Sequence, residues 1–352
     1  MWSLLRLLLL LAAGVERTSA ASFSANFGTG QVLQREPAAA AVYGFAGAGA
    51  TSVAVKLDGV AADGSAVHLA PKATLLGDGT WKALLPPQPA GGNFSISATD
   101  AGGAAVISDL TFGDVWYCSG QSNMELSFKF TFERNSTMKE IAAGRYDNVR
   151  VYLHPHVTSP RPLHVITGNE SIESNHLREQ RLGGADPRGR SSGATLEYSW
   201  THVADAVNSS SWQDSLLLEF SAACLYMGVG LTEHMINASA ESAQYDSAVV
   251  PLGLMGVSWG GTLIEQWVEL DQQFGCSNIS CLDCNATDPE TGCAFSRANA
   301  DAGNCPGNGA LFNGMVAPFV NMSVFGFVWY QVCAPSQLWV RLARTPRFYR
   351  TI

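Results

Sequence analysis

The chain has 352 residues, 47% of them hydrophobic and 14% charged, with a formal net charge of -9 at pH 7. That length supports two domains with substantial cores. The acidic balance, with no basic stripe, argues against nucleic acid as a partner, because its phosphates would be repelled.

Residues 1–20 read as a secretory signal, with Arg6 near the start, an apolar core over 7–13, and small residues Thr18 and Ala20 at the expected cleavage positions. The apolar run is too short to span a bilayer, which takes about 20 residues, and no later segment is long enough and free of charge, Gly and Pro. A secreted or lysosomal product with no membrane span is expected. Asn-x-Ser/Thr occurs at Asn93, Asn135, Asn169, Asn208, Asn237, Asn278, Asn285 and Asn321. One such tripeptide means little, but eight behind a signal sequence predict a glycoprotein.

From 21 to 110 the pattern is short strands with Gly, Pro and Asp at the joints. Residues 51–57 alternate, with Val53, Val55 and Leu57 on one face, and 81–85, 94–98 and 105–110 resemble them. Asp63-Gly64 and Gly77-Asp78-Gly79 separate candidate hairpins. Strands at this spacing predict a β-sandwich-like module. It carries no catalytic constellation and reads as a scaffold, with glycan binding as the alternative.

Residues 112–124 read Phe-Gly-Asp-Val-Trp-Tyr-Cys-Ser-Gly-Gln-Ser-Asn-Met. The run 114–118 is β-branched and aromatic, a buried strand. Ser119 and Gly120 break it, and a helical pattern starts near Asn123. A strand that turns sharply through Gly into a helix puts Ser122 at the carboxyl edge of a parallel sheet, beside helix-terminal N–H groups that favour negative charge. That geometry suits a nucleophilic serine, and equally a helix N-cap.

Beyond it the rhythm is strand and helix: a strand at 148–153, a helix at 217–235 with Leu217, Phe220, Cys224, Met227 and Leu231 on one face, and buried strands at 249–257 and 325–330. Such alternation predicts a parallel sheet flanked by helices, an α/β fold. The Gly/Arg-rich run 178–194 reads as an exposed loop. Eight cysteines in an oxidising compartment predict disulfides. Cys276, Cys281, Cys284, Cys293 and Cys305 favour a stapled loop over zinc, since a second Cys-x-x-Cys and a nearby His are absent. Cys118 and Cys224 fit either buried thiols or a core bridge.

Gly256-Val257-Ser258-Trp259-Gly260 also fits G-x-S-x-G, the nucleophile elbow of α/β-hydrolases, after a buried strand. Chain order weighs against Ser258, because the acid and the His should follow it and the last His is His234. A tight turn at Gly260-Gly261 is compatible with either serine as nucleophile. His68, His154, His156, His164, His176, His202 and His234 each read as surface or core histidines.

The block at 112–124 resembles the nucleophile block of sialate O-acetylesterases, in the SGNH (GDSL-like) hydrolase superfamily. Three further stretches are similar and in the same order: Gln-Val-Leu-Gln-Arg-Glu-Pro at 31–37, Val-Ser-Trp-Gly-Gly-Thr-Leu-Ile-Glu-Gln-Trp at 257–267, and Val-Trp-Tyr-Gln at 328–331. The resemblance implies a β-rich module over 21–110, then an incomplete three-layer α/β/α hydrolase domain over 111–332. It implies an acyl-enzyme on Ser122, an oxyanion held by the Ser122 amide and by Gly260 or Gly261, no metal or organic cofactor, and O-acetylated sialic acids as substrate. In that family the Trp-Tyr-Gln strand continues into Gly-Glu-Ser-Asn, and a later Asp/His pair supplies the base. Here Gln331 is followed by Val-Cys-Ala-Pro and then by Arg341, Arg344, Arg347 and Arg350 with no acid, so 333–352 read as a divergent tail of a truncated product. A serine without its base is a weak nucleophile. Impaired catalysis is therefore expected, with an inactive, sialoglycan-binding secreted glycoprotein as the alternative and an apolar sheet edge left open.

Overall fold

A computed structural model of the chain describes residues 20–168, 200–208, 212–241, 249–269 and 309–331. Outside these lie residues 1–19 of the expected signal, the loop at 178–194, the cysteine cluster at 276–305, the sequons at Asn169, Asn278 and Asn285, His176, and the tail at 333–352.

The N-terminal part contains β1 (Ser22–Phe23), β2 (Val32–Gln34), β3 (Ala41–Phe45), β4 (Ala54–Val60), β5 (Ala66–Leu69), β6 (Ala73–Leu75), β7 (Thr80–Leu84) and β8 (Gly91–Asp100). One sheet runs β1-β3-β7-β6, with every pair antiparallel. In the other, β5, β4 and β8 pair antiparallel and lead into β9 (Gly103–Gly120). The period-2 pattern explains β4: Val55 and Leu57 are buried while Lys56 and Asp58 face solvent.

The expected strands at 105–110 and 114–118 are one continuous strand, β9. Its first half alternates, pairing with β8 alone among the described residues on the way to Leu110. From Leu110 onward it is nearly all buried, because parallel neighbours flank it and both faces are covered. Between the two regimes Asp109 takes φ 54°, and Arg150 donates to its carbonyl at 2.6 Å.

The C-terminal half of β9 is the centre of the second part. After it come α1 (Ser122–Glu125), α2 (Arg134–Ala142), β10 (Val149–Leu153), β11 (Trp200–His202), α3 (Val203–Asn208), α4 (Trp212–Glu219), α5 (Ala222–Glu241), β12 (Leu252–Ser258) and β13 (Gly326–Tyr330). β12 and β13 flank β9 in parallel, β10 joins β12 in parallel, and β11 closes that side antiparallel. One face packs Cys118, Val149, Val151 and Leu254 against Phe128, Phe220 and Leu225. The other packs Tyr117, Tyr152, Met255 and Val257 against Met315 and Phe319. No helix among the described residues is long and apolar enough to cross a membrane.

Two expectations are corrected. The helix expected at 217–235 is broken at Phe220 and Ser221. There the Phe128 amide donates to the Phe220 carbonyl and the Ala222 amide to the Leu126 carbonyl, both at 2.8 Å, so the segment after α1 takes backbone groups a continuous helix would use. Ser221 then caps α5, its Oγ accepting the Cys224 amide at 3.1 Å. The strand expected at 325–330 is not buried: Phe325, Phe327, Trp329 and Tyr330 are 41 to 53% exposed. Only β9 pairs with β13 among the described residues. Cys118 and Cys224 form a disulfide joining β9 to α5, with both side chains fully buried.

His154 is buried and its environment fixes its tautomer. The Gly314 carbonyl, 3.2 Å from Nε2, only accepts, so Nε2 carries the proton and Nδ1 accepts from the Tyr152 hydroxyl at 3.1 Å. Burial pushes its pKa down to about 3 from the ordinary 6.5. The unfolded chain therefore takes up this proton first as pH falls, and stability is lost from about pH 6.5 toward 3, at most about 1.4 kcal/mol per pH unit. Urea midpoints for the wild type and His154→Gln between pH 7 and 4 should show the shallower acid limb in the variant.

Candidate functional site

Ser122 begins a single turn of helix where β9 ends. Met124 and Glu125 amides return to the Gln121 carbonyl at 2.8 and 2.9 Å, closing the turn. The helix of four residues is too short for the dipole contribution the sequence suggested, so any stabilisation of negative charge there falls to individual amides. Met124 and Phe128, both fully buried, anchor the turn from below, each side chain contributing about 1.5–3 kcal/mol. Ser122 itself is exposed.

Gly120 is required just before it. Its φ is +140°, and a Cβ would sit 2.2 Å from the Tyr330 carbonyl oxygen. The Gln121 amide donates to that same carbonyl at 3.2 Å, and the Trp259 amide donates to the Gly120 carbonyl at 3.0 Å. β13 and the turn after β12 thus both close on this glycine. Gly120→Ala is expected to destabilise by about 3 kcal/mol or more, since the strained φ and a backbone collision add. A chemical denaturation midpoint measures it.

The register of β12 on β9 places Ser258 opposite Gly120, so the following Trp259-Gly260-Gly261 lies over the Ser122 turn. A Cβ on Gly260 would be 3.3 Å from both Cα and Cβ of Ser122. Ser258 is the last residue of β12 and 7% exposed. The turn is tied down by its neighbours: Thr262 Oγ1 donates to the Trp259 carbonyl at 2.7 Å, Trp267 Nε1 to Thr262 Oγ1 at 2.9 Å, and Gln331 Nε2 to the Thr262 carbonyl at 3.1 Å. Gly261, with φ +78°, has no atom within 4 Å of where a Cβ would stand. Three of the four sequence stretches therefore converge here. The fourth, at 31–37, braces the base of β9 instead: Arg35 binds Asp114 through two bonds of 2.7 and 3.2 Å, and Gln34 accepts the Val115 amide at 3.0 Å.

Sequence reasoning missed Glu125 and His156. The Gly260 amide donates to Glu125 Oε2 at 2.6 Å, and Glu125 Oε1 lies 3.2 Å from His156 Nε2. That nitrogen is also 3.0 Å from the Ser258 carbonyl. His156 stacks flat on Trp259, ring centroids 4.3 Å apart at 4°. Helical spacing could have flagged Glu125, three residues after Ser122 and so on the same face. Nothing local marked His156. Among the described residues no imidazole or carboxylate hydrogen-bonds the Ser122 hydroxyl. Of the sequons, Asn93, Asn135 and Asn237 are exposed, whereas Asn321 accepts from Lys82 Nζ at 2.9 Å.

No protein-family profile matches the chain. It is 27% identical over 349 residues to the sialate O-acetylesterase of Mus musculus, covering 92% of this chain and 54% of that protein. The human sialate O-acetylesterase is 27% identical over 314 residues, covering 88% and 48%. The chain thus spans about half the length of the curated relatives it matches. Among solved structures, a carbohydrate acetylesterase from Xanthomonas citri superposes with a TM-score of 0.52 at 21% identity, over 89% of this chain and 51% of that one. That likeness speaks to the fold.

Proposed function

We propose, on the premise that this chain is a relative of the sialate O-acetylesterases, that it carries the nucleophile half of an esterase site removing O-acetyl groups from sialic acids. The observation that carries this reading is the exposed Ser122 on its tight turn, with the Gly260 backbone close enough that a Cβ would lie 3.3 Å from it. The Ser122 oxygen attacks the acetyl carbon, the carbonyl oxygen becomes an oxyanion beside the amides of Ser122 and Gly261, since the Gly260 amide is taken by Glu125, and the sugar oxygen departs with the proton Ser122 gave up. Water then releases acetate from the acyl-serine. No metal or organic cofactor enters these steps.

The finer organisation belongs to the same proposal: a signal over 1–20, a β-rich module over 21–110, a three-layer α/β/α SGNH-type domain over 111–332, and a basic segment over 333–352. β9 supplies the join, one strand pairing antiparallel with β8 of the first part and parallel with β12 and β13 of the second. The product enters the secretory pathway as a glycoprotein, secreted or lysosomal.

One observation favours a second reading, an inactive sialoglycan binder: among the described residues no imidazole takes the Ser122 proton. Acetate release from O-acetylated sialic acid by the purified chain, beside Ser122→Ala and Ser258→Ala, separates the two. Release lost only in Ser122→Ala supports the esterase. Equal rates in wild type and Ser122→Ala, with retained glycan binding, support the binder.

A further inference from the structure

We infer that Glu125 is a positioning residue for acyl transfer at Ser122, acting through the Gly260 amide with His156 as its brace. The inference rests on the esterase reading and assigns a role to a carboxylate that reading leaves unused.

At 2.6 Å the bond from the Gly260 amide to Glu125 Oε2 is short for a neutral N–H···O contact and fits a charge-assisted one. The second oxygen is held from the other side. His156 Nε2 faces two acceptors, Glu125 Oε1 at 3.2 Å and the Ser258 carbonyl at 3.0 Å, so this nitrogen carries the proton and donates to both. The His156 side chain is only 9% exposed, and the Trp259 ring fixes its plane. One carboxylate therefore ties the Ser122 helical turn to the strand end on one side and to the glycine turn on the other.

Glu125 and Ser122 share one helical turn, so whatever fixes Glu125 against Gly260 fixes Ser122 against the same amide. Glycine at 260 is part of the device: a Cβ there would stand 2.6 Å from Glu125 Oε2. With its amide engaged, Gly260 belongs to the frame of the turn, which leaves the Ser122 and Gly261 amides for the acyl oxygen. Misplacing such a frame by about 1 Å can cost about 100-fold in rate without weakening substrate binding.

The test uses the full chain with Glu125→Ala, Glu125→Gln and Glu125→Asp, read by aryl-acetate kinetics and by the Gly260 amide proton shift in ¹⁵N-glycine-labelled protein. Glu125→Ala is expected to lower kcat about 10- to 100-fold with KM within about two-fold, and to move the Gly260 amide upfield. Glu125→Gln, which keeps an acceptor oxygen, should restore most of both. If Glu125→Ala does not fold, Glu125→Asp takes its place, since one methylene less breaks the reach while keeping the charge. An unchanged kcat or an unmoved Gly260 amide overturns the inference. A rise in KM that Glu125→Gln does not rescue also overturns it, assigning Glu125 to substrate contact. Should the wild type show no Ser122-dependent turnover, the esterase reading fails, and the amide shift alone decides whether Glu125 holds Gly260.

Discussion

Ser122→Ala is expected to abolish covalent labelling of the chain by a fluorophosphonate and to reduce acetyl-ester turnover to the uncatalysed background. The size of the fall identifies how much machinery works with the serine. In serine hydrolases, removing the nucleophile costs on the order of 10⁶ in turnover when a complete relay is present, while donors and binding alone sustain about 10³–10⁴ over water. The Ser122 hydroxyl is exposed on a turn anchored by Met124 and Phe128, beside Gly260. Loss of the hydroxyl removes the acyl acceptor without disturbing that packing, so the variant should unfold at the wild-type denaturant concentration. A fall near 10⁶ in kcat, measured by acetate release, identifies a base outside the described residues. Labelling that persists in Ser122→Ala and disappears in Ser258→Ala moves the nucleophile to the rival serine.

Removing the disulfide is expected to be the most damaging single change to stability. Cys118 and Cys224 are 106 residues apart, and closing a loop of about 100 residues corresponds to about 4.7 kcal/mol in the chain-entropy account, with measured losses of about 2–5 kcal/mol. The bond has local work as well. Cys118 lies two residues before Gly120, and Cys224 is held at the start of α5 by the Ser221 cap. The bond thus fastens α5 to the sheet directly beneath the Ser122 turn. The double variant Cys118→Ser, Cys224→Ser should lower the unfolding free energy by about 2–5 kcal/mol in guanidinium titration. Both sulfurs are fully buried, so mild reductant should leave the native protein intact and act only once denaturant opens the core.

Much of the architecture was legible because burial leaves a periodic trace. Alternation located β4, β7 and β8 within a residue or a few, and the apolar run after 249 located β12, buried along its whole length. The Ser-Gly-Gln-Ser stretch marked the turn at Ser122 because only glycine accommodates the backbone at 120. Local pattern failed where a neighbour from elsewhere changed the outcome. Leu217 to Met235 has a helical face, yet Leu126 and Phe128 claim backbone partners at Phe220 and Ala222 and split it. The signal for the break was present, a Ser at 221 three residues before an amide it caps, but helical periodicity masked it.

By itself the sequence located several of the strands, where the chain turns from antiparallel to parallel pairing, and the glycine-led turn at Ser122. These follow from side-chain size, polarity and backbone freedom, which act over a few residues. Tertiary structure alone decided that Cys118 meets Cys224, and that Glu125, His156 and Gly260 form one hydrogen-bonded unit beside Ser122. Those contacts join residues up to 135 positions apart. They depend on the register of β12 against β9, with Ser258 opposite Gly120, a property of the paired strands that neither strand's own sequence carries.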